Sequence, residues 1–153
     1  MSRHCSQTVT TEARMHTEAT KESDGGLHAI ELAASLTVRD LVTSVAWYGD
    51  VVGFTVDRRH EREGRLIAVS LRAGQVRVLL TQDDGSRGPE RPKGAGFSLQ
   101  LTTAQDIDAL AATVQARGGA LECAPFSTPW GVRAFRFADP DGFRFTISSP
   151  AAT

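Results

Sequence analysis

Two arginines, Arg77 and Arg144, each stand beside apolar residues in runs where polar and apolar side chains alternate, QVRVLLT (residues 75–81) and FRFTIS (143–148). In an extended chain, residues two apart share a face. Carried across four such runs, that rule collects Glu31, Ser35, Arg77, Ser98, Gln100, Arg144 and Thr146 on one side. Guanidinium, amide, carboxylate and hydroxyl groups on a concave surface with small neighbours can hold and orient a small molecule. Trp130, between Pro129 and Gly131, could cover the end of that face and stack on a flat ligand; a loop Trp capping the core fits the same residues. The plain alternative for the whole polar set is a solvated sheet face.

Other chemistries find less support. No Ser/His/Asp pattern and no phosphate-cradling Gly loop is visible, since Gly94 and Gly96 fall in a linker and not at a strand-to-helix turn. His28 precedes the first strand and His60 lies in the charged run DRRHERE, so both read as exposed polar residues. His4, Cys5 and His16 match no zinc spacing. Cys123 has no local partner for nucleophilic work and reads as a structural thiol. With only Cys5 and Cys123, a disulfide framework is not expected and a reducing, cytoplasmic setting is.

The elements that must position the polar face follow from periodicity. Leu27 to Arg39 ends in alternation, the first strand. Asp40 is then a plausible N-cap for a helix with the stripe Leu41, Val45, Tyr48, Val52, stopped by Gly53. Strands follow at 54–59, 65–71 and 75–81, the last two joined by a hairpin-length Arg72-Ala73-Gly74. Residues 82–94, rich in Gly, Pro and charge, read as a linker. The order then repeats: a strand at 97–101, a helix striped by Ile107, Leu110, Ala111 and Val114 with Thr103 opening a weak capping box, and strands at 121–125, 132–137 and 143–147. Gly118 answers Gly53 at an offset of 118 − 53 = 65 residues.

The predicted fold is therefore α+β: two tandem βαβββ modules, about 27–81 and 95–149, forming a curved, mostly antiparallel sheet with helices on one face and an open cleft on the other. The dry face is expected to carry Leu32, Ala34 and Leu36; Val76, Val78 and Leu80; Phe97, Leu99 and Leu101; Phe143, Phe145 and Ile147. Between the last two strands, Asp139-Pro140-Asp141-Gly142 fits a type I turn, its Asp bonding backbone N–H groups ahead.

Composition bounds the rest. A chain of 153 residues with 41% hydrophobic content supports one domain, placed at 27–150 after a disordered Ser/Thr-rich tail at 1–26 with no secretory apolar core. A formal net charge of −1 with mixed signs points to neither nucleic acid nor an anionic membrane as partner, and no apolar run is long enough to span a bilayer.

Three pieces, LTVRDLVTSVAWYGDVVGF (36–54), PWGVRAFRFADPDG (129–142) and the duplicated βαβββ order, resemble the vicinal oxygen chelate superfamily of glyoxalases, extradiol dioxygenases, fosfomycin-modifying transferases and bleomycin-resistance binding proteins. The resemblance implies the fold, a homodimer, and, in metal-using members, one ligand on each of four strands. Carried over by motif, those four positions are Ala33, Leu79, Gly96 and Thr146, none a metal ligand of the expected kind. The resemblance thus implies a metal- and cofactor-independent protein that binds a small, antibiotic-like molecule. A metal-dependent lyase, dioxygenase or thiol transferase of the same fold, and a regulatory dimer without a ligand, stand as the alternatives.

Overall fold

Alternation and helical stripes become the elements they predict, with most boundaries shifted by a residue or two. The computed structural model describes residues 25–151. The expected tail over 1–26 lies almost wholly outside the described residues, as do His4, Cys5 and His16. Chain order is β1 (Ala34–Val38), α1 (Leu41–Trp47) continued by a π-helical turn (Tyr48–Val52), β2 (Thr55–Arg62), β3 (Arg65–Ala73), β4 (Val76–Gln82), β5 (Ser98–Thr102), α2 (Ile107–Ala116), β6 (Leu121–Ser127), β7 (Arg133–Ala138) and β8 (Arg144–Ser148).

Each module builds one four-stranded sheet, ordered β1-β4-β3-β2 in the first and β5-β8-β7-β6 in the second. In each, the first and last strands pair in parallel while the hairpin pairs are antiparallel, the arrangement expected of a duplicated βαβββ unit.

Helix starts and stops are set by single residues. The Asp40 carboxylate accepts from the Thr43 N–H at 2.9 Å as N-cap of α1, and Gly53 closes the helical run in the left-handed conformation at φ 93°. At α2 the cap is Asp106, which accepts from the Ala109 N–H, and not Thr103; Thr103 instead bonds Gln105, two residues on. Of the predicted stripes, Leu41 and Tyr48 are buried in the first run and Ile107, Ala111 and Val114 in α2, while Val45, Val52 and Leu110 are partly buried and Val51, outside the predicted stripe, is buried in the π-helical turn. The buried ones join Leu36, Val69, Leu71, Val78, Leu80, Phe135, Phe137 and Phe145 in one hydrophobic cluster.

The Asp139–Gly142 turn is tied into that core. Gly142 N–H donates to the Asp139 carbonyl at 3.0 Å, and Asp139 Oδ1 accepts from the N–H groups of Asp141 and Phe143, as the turn chemistry predicts. Asp139 Oδ2 accepts the buried Tyr48 hydroxyl at 2.7 Å. Asp141 accepts from the Arg39 N–H, the Arg39 guanidinium and the Ser44 hydroxyl, so the turn of the second module holds the β1–α1 junction of the first.

The 82–94 connection is fastened. Lys93 is buried against Asp83 in an ion pair, and Arg39 donates to the Arg91 carbonyl. A Cβ on Gly94 would lie 2.8 Å from the Gly142 carbonyl, so only glycine permits that approach.

Three dry-face expectations are corrected. β1 begins at Ala34, because its parallel register with β4 runs only from Ala34↔Val78 to Val38↔Gln82. Leu32 thus lies outside the strand and is 95% exposed. Phe97 precedes β5, whose pairing starts at Ser98↔Arg144, and is 45% exposed. Val76 is only half-buried at the start of β4. The chain divides into units 1–32 and 33–153, and all strands belong to the second. Among the described residues, no helix is long and apolar enough to cross a membrane.

Candidate functional site

The dry face of the second sheet is fixed by Phe135 and Phe137 on β7 and by Phe145 and Ile147 on β8. Their neighbours must point the other way. Cross-strand register then gives the rows of the open face. Gln100 pairs with Thr146, and Thr146 with Arg136; Ser98 pairs with Arg144, and Arg144 with Ala138. Four predicted residues, Ser98, Gln100, Arg144 and Thr146, are therefore brought together on adjacent strands.

Arg136 was missing from the predicted set, although the RAFRF alternation (133–137) carries the same parity signal as β8. Its guanidinium carbon lies 5.3 Å from the centroid of Phe126, a cation–π contact that holds the side chain over the sheet. Bulges between Leu121 and Cys123, and between Cys123 and Phe126, interrupt the ladder: the first puts Cys123 opposite Arg136, and the second restores the alternation, which leaves Phe126 opposite Ala134. Arg144 Nε lies 3.4 Å from Glu122 at the edge.

On the first sheet, Ser35 pairs with Leu79 and Leu79 with Ser70, while Arg77 pairs with Arg72. Ser35 and Arg77 thus take the open face as predicted. Thr37 and Thr81 hydroxyls meet there at 3.1 Å. A bulge between Val56 and Arg58 places Arg58 opposite Ser70 and His60 opposite Ala68. Half-buried His60 therefore belongs to the open face and is not simply an exposed charge-run residue; the predicted strand stopped at residue 59, whereas β2 runs on to Arg62.

Two predicted members fall elsewhere. Glu31 precedes β1 and is not on its strand, for the register reason given above. Trp130 is 69% exposed on the turn between Thr128 and Val132, which rules out core capping and leaves its ring on the surface. Cys123 is buried and disulfide-bonded, correcting its reading as a thiol; the chain's other cysteine, Cys5, lies outside the described residues. Two cysteines argued against a framework of bridges but could not exclude a single one, so the count no longer argues for a reducing compartment.

The acidic groups nearest this architecture are structural. Burial pushes the Asp139 carboxyl above its usual range, against the lowering effect of the Tyr48 hydroxyl bond. Burial and the neighbouring Asp139 charge likewise push the Tyr48 phenol far up, so it stays a donor.

The sequence of residues 26–147 matches the family model described as Glyoxalase/Bleomycin resistance protein/Dioxygenase superfamily. The chain belongs to this superfamily. Solved structures share its fold. A member from Sphaerobacter thermophilus DSM 20745 is 26% identical, with TM-score 0.67, covering 80% of this chain and 98% of its own. TioX from Micromonospora sp. ML1 is 21% identical with TM-score 0.61 over 80% and 98% of the two chains. A family enzyme from Burkholderia phytofirmans PsJN is 21% identical with TM-score 0.62 over 76% and 95%. Among curated proteins, none matches.

Membership sets the metal question against particular atoms. Ala33 lies just ahead of β1, Leu79 on β4, Gly96 in the turn before β5 at φ 77°, and Thr146 on β8. Three of these side chains have no donor atom and the fourth offers a neutral hydroxyl. Among the described residues, no group of three or more His, Cys, Asp or Glu is placed to hold a metal ion. The four positions carried over by motif supply no donor set that fits a divalent cation.

Proposed function

We propose that this superfamily member is a metal-independent, small-molecule-binding protein of the bleomycin-resistance type. It sequesters an antibiotic-like ligand on its open sheet face and completes its cleft as a homodimer. One observation carries the reading: around Thr146, at a superfamily ligand position, stand Gln100, Ser98, Arg136 and Arg144. These groups hydrogen-bond and orient an organic ligand, while two guanidiniums oppose a metal cation by simple Coulomb repulsion. Ser35 and Arg77 supply the matching polar positions of the first sheet, and the exposed Trp130 ring supplies a stacking surface. Sequestration needs affinity and not turnover; a micromolar dissociation constant corresponds to about 8 kcal/mol.

The test is elemental analysis of protein purified without chelator, followed by thermal-shift screening against glycopeptide, aromatic and thiol compounds with and without EDTA. A ligand that binds only the native state raises the melting temperature. The expected result is protein without stoichiometric metal and a stabilising ligand class whose effect survives EDTA. Stoichiometric metal together with chelator-sensitive turnover would instead make the chain a metal-dependent lyase, dioxygenase or thiol transferase.

A further inference from the structure

We propose that the first sheet carries an oxyanion subsite on the open side of β2 and β3, built by Arg58, His60 and Ser70, and that the ligand bears a carboxylate or phosphate group that docks there. This rests on the small-molecule-binding reading above and specifies its chemistry. A bulge between Val56 and Arg58 shifts β2 against β3, so Val56 pairs with buried Leu71 whereas Arg58 pairs with Ser70 and His60 with Ala68. Bulges re-aim side chains in this way. Arg58 and His60 therefore leave the core side that Val56 takes and share the open side with Ser70. A guanidinium, an imidazole and a hydroxyl can each donate a hydrogen bond, and an oxyanion only accepts.

Small residues form the floor. Ala68 and Ser70 on β3 lie between Arg58 and His60 on β2 and Leu79 and Thr81 on β4, so the short side chains occupy the middle strand and longer ones its flanks. His60 is half-buried, while every other β2 residue is exposed. The donors are uncommitted: among the described residues, no hydrogen bond or ion pair engages the side chain of Arg58, His60 or Ser70. Asp57, the nearest carboxylate in the chain, lies 3.6 Å from Arg72 Nε. Glu61 pairs, beyond a second bulge, with Leu66, which packs against the core, so it stands off the open row. Arg58 is left without an ion pair, and its planar fork suits bidentate recognition of a carboxylate or phosphate.

The subsite is tested on the full chain with benzoate, phenyl phosphate and neutral benzamide at matched ionic strength, following backbone amide resonances during titration. One or both anions should bind about tenfold or more tightly than benzamide, with shifts centred on Arg58, His60, Ala68 and Ser70; the preferred anion separates carboxylate from phosphate recognition. Arg58→Gln should abolish the preference and Arg58→Lys should keep part of it, with unchanged far-UV circular dichroism. Arg59→Gln removes the same charge from the other side of β2, where Arg59 pairs with buried Val69, and should leave the preference intact. Equal affinity for the anions and benzamide, shifts centred elsewhere, a folded Arg58→Gln variant that keeps the preference, or equal losses from Arg58→Gln and Arg59→Gln would overturn the subsite. If Arg58→Gln does not fold, Ser70→Ala takes its place and should weaken anion binding with benzamide unaffected; unchanged anion binding would overturn the proposal. Saturable binding on the second sheet without an anion preference would sink the subsite and leave the binding function standing. If none of the three compounds binds, the subsite falls, and the thermal-shift screen above decides the binding function on its own.

Discussion

Replacing Tyr48 by Phe removes one oxygen from the centre of the molecule and leaves the packing in place. The ring keeps its edge contacts with Trp47, Phe54 and Phe145, whose centroids lie 5.1, 5.7 and 5.9 Å away. What disappears is the 2.7 Å bond to Asp139 Oδ2, in a residue only 5% exposed, while Oδ1 keeps its two backbone donors. A hydrogen bond to an ionised group contributes roughly 1.5–3 kcal/mol, and a neutral one roughly 0.5–1.5. At pH 7 the substitution should therefore cost about 2 kcal/mol. The pH dependence has a definite sign. Asp139 is pushed above its ordinary range in the folded state, so its contribution is most favourable below the unfolded value and is lost as pH rises through the folded one. Tyr48 opposes that upward push, so its removal raises the carboxyl further and deepens the loss at neutral pH. Urea unfolding of both proteins at pH 4 and pH 7, compared at constant m-value, reads the effect directly. A penalty below about 0.5 kcal/mol at pH 7, or one larger at pH 4 than at pH 7, would refute the argument.

Other perturbations separate structure from site. Gly94→Ala forces a Cβ to 2.8 Å from the Gly142 carbonyl at a backbone φ of 72°, and should destabilise by about 2 kcal/mol or more in the same urea assay. Asp106→Ala removes the cap of α2 and should cost about 1 kcal/mol, whereas Thr103→Ala should cost clearly less. Trp130→Ala should leave the midpoint within about 0.5 kcal/mol of wild type while abolishing the ligand-induced fluorescence change of a Trp47→Phe background, where Trp130 is the remaining indole.

Parity explains what could be read from the amino acids and what could not. Where a strand pairs regularly, alternation assigned faces correctly: Val78 and Leu80 are buried beside Arg77 and Leu79, and Phe145 and Ile147 beside Arg144 and Thr146. The helix stripes and the glycine stop at Gly53 were equally local. Errors fell where a residue's fate depends on its partner strand. Glu31, Leu32 and Phe97 continue an alternating pattern past the point where β1 and β5 have a neighbour to bond. His60 lay past the predicted end of its strand at residue 59, and it and Cys123 also follow bulges, whose inserted residue changes a face without any compositional mark. Asp139 and Asp141 illustrate the same limit: their turn was legible, but not that their free oxygens would secure Tyr48, Ser44 and Arg39 about a hundred residues away.

The central claim is that this open sheet face holds an organic ligand without a metal. The most direct measurement titrates the strongest thermal-shift compound into isotope-labelled protein dialysed against EDTA and maps the amide resonances that move. Saturable shifts clustered at Ser98, Gln100, Arg136, Arg144 and Thr146, unchanged on adding divalent cations, are the predicted result. Binding that vanishes in EDTA and returns only with a stoichiometric divalent ion, or shifts confined to the helix face around α1 and α2, would contradict it.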